Sequence, residues 1–165
     1  MPWWRRSEPR RLTVGELRAA GDVFGDAIDW HRVRLYARPF VWLQPRGTAT
    51  SPNGAVYFHA VDHCPDFSVE WRGMAWLIHE LTHVWQHQSG QWVIPRGLWE
   101  RRYRYGVIDP GRPLERWGIE QQAAIVEDWY RLTQGQMPWR GSGSVADYRA
   151  VIPFLPVGAN GWVAR

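Results

Sequence analysis

Lysine is absent from this 165-residue chain, so its 20 basic side chains are all arginine. With 16 acidic residues they leave a formal charge of +4. The arginines are scattered rather than striped, which argues against a nucleic-acid-binding face. Cysteine is nearly absent too. Cys64 stands alone, so no intrachain disulfide can form and a small disulfide scaffold is excluded. Beside His63 and Asp66 it could be drawn as a nucleophile, but a half-buried structural thiol is the expectation. No stretch approaches the roughly 18 apolar residues of a membrane span. The opening MPWWRRSEPRR lacks the apolar core of a cleaved signal. The expectation is synthesis in the cytoplasm, with any work elsewhere needing a specialised export route.

Hydrophobic residues make up 45% of the chain and charged residues 22%, a balance that builds a core and excludes disorder. Tryptophan is abundant, at 13 residues. Each buries a large area and needs a partner for its N–H. Most are expected in the core or at its edge, and some could line a groove.

The length suits one domain, and neither repeats nor a linker divide it. Residues 1–11, rich in proline and arginine, read as a flexible arm. Thr13 and Glu16 form a capping-box pattern, and Val14, Leu17, Ala20 and Phe24 share one face of a helix over 14–25. HRVRLYA alternates like a half-buried strand. FVWLQ reads as a second strand or an irregular extended piece. Asn53-Gly54 signals a turn before the β-rich run 55–60. A small sheet of two or three strands is thus expected between 32 and 60, and a loop over 61–69. A long helix follows over 70–89, then a loop-rich stretch over 90–117. A second long helix covers 119–133, and a short one lies near 144–150. The order predicts a compact α+β domain.

WLIHELTHVWQHQ, residues 76–88, carries the chemistry. His79-Glu80-Leu81-Thr82-His83 is an H-E-x-x-H motif. Helical residues four apart differ by about 40° in direction and about 6 Å in height. His79 and His83 can therefore offer two imidazoles to one zinc ion. Glu80 leans toward the same side and can reach a water as general base without becoming a ligand. Met74, Leu77, Ile78, Leu81 and Trp85 give the helix a broad apolar side.

Catalytic zinc usually keeps three protein ligands and an open position. His87 continues the spacing but lies about 12 Å from His79 along the helix, too far to converge. No glycine follows His83 to bend the chain, so a histidine beyond the helix is not brought back. The second long helix is the better source. Glu120, 37 positions after His83, is the preferred ligand. Glu127 lies on nearly the same face, as a rival ligand or as a hydrogen-bond partner for a ligating histidine. Asp128 is a further rival. Tyr103, Tyr105, His59 and His63 are candidates to stabilise an oxyanion. The strand AVYFHA is a candidate edge for binding an extended peptide.

LTVGELRAAGDVFGDAIDWHRVRL, SPNGAVYFH, LIHELTHVWQHQSG and GIEQQAAIVEDWYRL together resemble the Vgr-related zinc metallopeptidase domains of bacteria. Those resemble the peptidase-like extension of some VgrG spike proteins of type VI secretion. The likeness covers roughly residues 12–133. It implies a minimal gluzincin-like α+β core, with His79, His83 and Glu120 as zinc ligands and Glu80 as base. It also implies a peptide or protein substrate and a role as a secreted effector or envelope-acting toxin. A secretion spike or an immunity protein would be a partner. A zinc-stabilised binding module with a Trp- and Arg-rich surface is the alternative from another class.

Overall fold

The computed structural model of the chain describes residues 8–41, 43–91 and 102–156. Helix α1 (Val14–Phe24) comes first, and a 3₁₀ turn (Trp30–Arg32) follows. Strands β1 (Leu35–Tyr36), β2 (Ala49–Thr50) and β3 (Val56–Phe58) form a small sheet. A 3₁₀ turn at Phe67–Val69 leads into the long helix α2 (Trp71–Gln88). Then come β4 (Gly106–Val107), a 3₁₀ turn (Leu114–Arg116) and α3 (Ile119–Thr133). Strand β5 (Gly141–Ser142) and helix α4 (Val145–Val151) complete the described residues. The architecture is mixed α+β, and α2 packed along α3 is its spine.

The capping box of α1 forms as the sequence indicates. The Glu16 N–H donates to Thr13 Oγ1 at 3.1 Å, and the Thr13 N–H donates to Glu16 Oε2 at 2.8 Å. The buried stripe differs from the expected one. Ala20 and Phe24 are in the core, but Val14 is 77% exposed and Leu17 is exposed as well. Glu16 takes their place beside Ala20, Val23 and Phe24, because its carboxylate is a junction. It accepts both arms of the Arg10 guanidinium at 2.7 Å and the Phe67 N–H at 2.8 Å. Arg10 also donates to the Cys64 carbonyl and to His63 Nε2, and its backbone pairs with Leu35. The expected loose arm therefore differs at Arg10, which is tied to α1, β1 and the segment before α2; residues 1–7 lie outside the described residues. Removing one partner of a buried ion pair strands the other charge. Glu16→Ala is thus expected to cost about 3–5 kcal/mol of stability, read from the urea midpoint.

In the sheet, β3 lies between β1 and β2, parallel to β1 and antiparallel to β2. All three β3 residues are buried. This corrects the reading of AVYFHA as a peptide-binding edge, since both of its ladder sides are taken. The edges are β1 and β2. FVWLQ forms no strand in its described residues, and Trp42 lies outside them. Gln44 instead clasps the sheet, donating to the carbonyls of Thr48 and Tyr57. At the other end β4 and β5 run parallel. Gly141 is required there, because a side chain would fall 2.2 Å from the Tyr105 ring.

The expected apolar side of α2 is buried in full: Met74, Leu77, Ile78, Leu81 and Trp85 all join the core. Trp85, Trp117 and Trp129 are buried, whereas Trp30, Trp71 and Trp76 are half-buried against the core. Trp139 is 58% exposed. Tyr148, Val151 and Ile152 are buried, and Phe154 stacks on Phe24 and meets Trp85 edge-on. The segment after α3 is thereby fixed to the body of the protein.

Candidate metal centre

The helix α2 is buried almost all round from Leu77 to Gln86, polar residues included. Buried polar groups need partners, and here the partners build a site. His79 and His83 sit one turn apart with ring centres 5.1 Å apart. Glu120 lies in the first turn of α3, where the helix dipole favours a carboxylate. Its Oε2 stands 3.3 Å from His79 Nε2 and 3.4 Å from His83 Nε2. One atom from each of the three residues fits within a 4.8 Å span. A tetrahedral ion with bonds of about 2.0–2.1 Å separates its ligands by about 3.3–3.4 Å. The two spacings to Glu120 match such an ion.

The outer ring nitrogens are also held. His79 Nδ1 lies 3.1 Å from Glu127 Oε2, and His83 Nδ1 lies 2.7 Å from Gln86 Oε1. With Nδ1–H donating to these acceptors, Nε2 is the nitrogen that each ring turns toward Glu120. Of the two roles open to Glu127, it takes that of hydrogen-bond partner. Gln86 does more. Its amide donates to the Ile119 carbonyl and to Gln122 Oε1, both at 3.0 Å, pinning α2 to the start of α3. Such outer partners are worth about 10–100-fold in metal affinity. Glu127→Ala is expected to weaken metal retention by about that factor, as read by chelator competition.

The charges are strongly coupled. Burial disfavours a charged His79 ring, but Glu120, Glu127 and Glu80 outweigh it and push its pKa up to about 10. His83 is raised for the same reason, chiefly by Glu120 against burial. Burial also opposes the Glu120 charge, yet bonds from His79 and His83 hold its carboxyl well below the usual range. Glu80 is raised by burial, against the pull of His83, His79 and the Ser51 hydroxyl. Ser51 Oγ donates to Glu80 Oε2 at 2.9 Å. Ser51 directly follows edge strand β2, so the sheet positions the carboxylate of a residue on α2.

No family model matches the chain. In an alignment of 131 residues that covers 73% of the chain, it is 37% identical to the type VI secretion system spike protein VgrG2b of Pseudomonas aeruginosa. The match spans 13% of that much longer protein. The solved effector domain of VgrG2b superposes with a TM-score of 0.70 at 36% identity, covering 78% of this chain and 76% of that one. The chain belongs to the family of the VgrG2b effector domain.

On this member of the VgrG2b family the remaining candidates fall apart by position. His87 is exposed on α2 and packs over Gly54, outside the cluster. Asp128 is turned away from it. Its carboxylate accepts the Trp139 and Arg140 N–H groups at 2.6 and 2.8 Å, and the Tyr105 hydroxyl at 2.6 Å. Burial raises its pKa against those bonds. The Tyr105 hydroxyl also meets that of Tyr148, so it is committed to holding β4 and α4 against α3. His63 is bonded to Arg10. His59 keeps a buried Nδ1 with no hydrogen-bond partner. Tyr103 is the candidate beside the cluster, its ring centre 5.9 Å from that of His79. Cys64 is half-buried, its thiol donating to the Asp66 carbonyl, a structural role. Gln86 and Ser51 were not legible as site residues. A glutamine inside a helix and a serine in a turn carry no chemical signature of their own.

Proposed function

We propose that the chain is a zinc-dependent hydrolase, a gluzincin-like metallopeptidase of the VgrG2b effector-domain family, acting as a type VI secretion effector. The observation that carries this reading is the convergence of His79, His83 and Glu120 beside a buried, non-ligating Glu80. His79, His83 and Glu120 would hold the ion. When bound, zinc acidifies a water and polarises a substrate carbonyl.

The chain's own residues supply the rest. Glu80, held in place by Ser51, takes the proton from the attacking water and passes it to the leaving amine. Its raised pKa suits a group that must accept and return a proton. Tyr103, whose ring lies beside that of His79, would be the donor to the developing oxyanion. The edge strand β2 runs into Ser51 and offers an extended peptide a ladder partner close to Glu80. The relative's role as a spike protein supports a secretion spike as partner, and an immunity protein is the further partner this reading proposes. Among the described residues no helix is long and apolar enough to cross a membrane.

The test is cleavage of an unfolded protein by chelator-stripped and zinc-reloaded chain. Activity is expected only after reloading. Zinc must displace the proton that His79 retains up to about pH 10, so loading at pH 7 releases protons and apparent affinity falls as pH drops. Cleavage that survives complete zinc removal would sink the reading. Expression directed to the bacterial periplasm is expected to harm cells in a Glu80-dependent way, and harmless expression there would count against the effector role.

A further inference from the structure

Arg140 sits one aromatic ring away from the metal cluster. Its guanidinium carbon lies 5.1 Å from the centre of the Tyr103 ring, which is itself 5.9 Å from the His79 ring. On another side it stacks on Trp139 at 3.7 Å. Its backbone is fixed: the N–H groups of Trp139 and Arg140 both donate to buried Asp128. Asp128 is the neighbour in α3 of Glu127, which holds His79. The same turn of helix therefore sets the ligand and the cation.

What distinguishes Arg140 is a buried guanidinium nitrogen, Nε, that has no hydrogen-bond partner. Arg10 spends its donors on Glu16, His63 and the Cys64 carbonyl. Arg131 lies against Asp128, and Arg112 donates to the Arg116 carbonyl. For Arg140, no carboxylate among the described residues pairs with the guanidinium, and Nε is buried without a hydrogen-bond partner. A buried donor left unmade is costly, and more so when it is charged. The Tyr103 and Trp139 rings lie against the guanidinium. Its in-plane donors remain, and their fork matches a carboxylate.

We propose that Arg140 selects a substrate carboxylate beside the scissile bond, either an acidic side chain or a free C-terminus. The inference rests on the peptidase reading for its chemistry but is read by binding. Charge-assisted pairing of this kind should give about tenfold or more in affinity. The probes are four short peptides: an N-acetylated, C-amidated alanine peptide carrying one glutamate, its glutamine twin, and an all-alanine pair with free or amidated C-terminus. Calorimetric titration into the metal-stripped full chain is expected to favour one carboxylate-bearing peptide by about tenfold. Which pair shows the preference identifies the source of the carboxylate. Arg140→Gln should bring that pair to parity, and Arg140→Lys should keep only part of the preference, because the charge remains and the fork is lost. If Arg140→Gln fails to fold, the Lys variant carries the test. Equal binding of all four peptides, or a preference unchanged in the folded variants, overturns the assignment. A preference that Arg140→Gln removes, in a protein that cleaves nothing when zinc-loaded, supports the recognition role and overturns the peptidase reading instead.

Discussion

Glu80→Gln is expected to lower kcat by about 10²–10⁴-fold while one zinc ion per chain is retained. The substitution keeps the shape of the side chain and can still accept the Ser51 hydroxyl bond, so helix α2 has no reason to move. It removes the one property the reaction needs, a carboxylate that can gain and lose a proton. Glu80 is buried, with 4% exposure, and among the described residues only Ser51 contacts its carboxylate through a hydrogen bond. Solvent therefore offers no ready substitute. Metal analysis and steady-state kinetics on one preparation decide the matter. Full activity in the variant would assign proton transfer elsewhere, and loss of zinc would make Glu80 a ligand or a support of one.

Glu120→Ala should have the opposite signature, with zinc lost and activity lost because of it. A site with two imidazoles and no carboxylate falls short of the usual three-ligand set. The loss in affinity should exceed the roughly 10–100-fold of an outer partner such as Glu127. The fold should survive. Without Glu120 the buried imidazoles have less reason to carry charge, and a neutral ring tolerates burial. Gln86 continues to tie α2 to the Ile119 carbonyl. Chelator competition separates Glu120→Ala from Glu127→Ala by magnitude, and circular dichroism confirms that both remain folded. Equal, mild losses in the two variants would show that the glutamates had been given the wrong roles.

The two long helices were legible because their apolar spacing runs uninterrupted, in α2 up to Gly90 and in α3 between Gly118 and Gly135, and H-E-x-x-H fixed which polar residues share a face. Glu120 and Glu127 are seven positions apart, so a helix of about 100° per residue returns them to nearly the same direction. That made both plausible ligands, and only the docking of α3 against α2 places Glu120 at the inner nitrogens and Glu127 at an outer one. Asp128 is rotated by about 100° from Glu127, which sends it to Tyr105 and the backbone of Trp139 and Arg140. The sheet was legible in content but not in order. Two-residue strands such as Ala49–Thr50 carry no period, and no local pattern tells that Val56–Phe58 lies at the centre. On α1 the apolar period pointed to Val14 and Leu17, but a buried ion pair outbid them for the inner face.

The pinning of α2 to the start of α3 by Gln86 has a temporal side. The histidines and Glu80 belong to residues 79–83, whereas the third carboxylate is at 120. Synthesis runs from the N-terminus, so a nascent chain holds the first three for some time before the fourth can close over them. Until α3 docks, the growing polypeptide holds His79, Glu80 and His83 without the carboxylate of Glu120 that completes the cluster. On the proposed reading, hydrolytic competence would be a late product of tertiary closure, arising only once α3 has docked on α2.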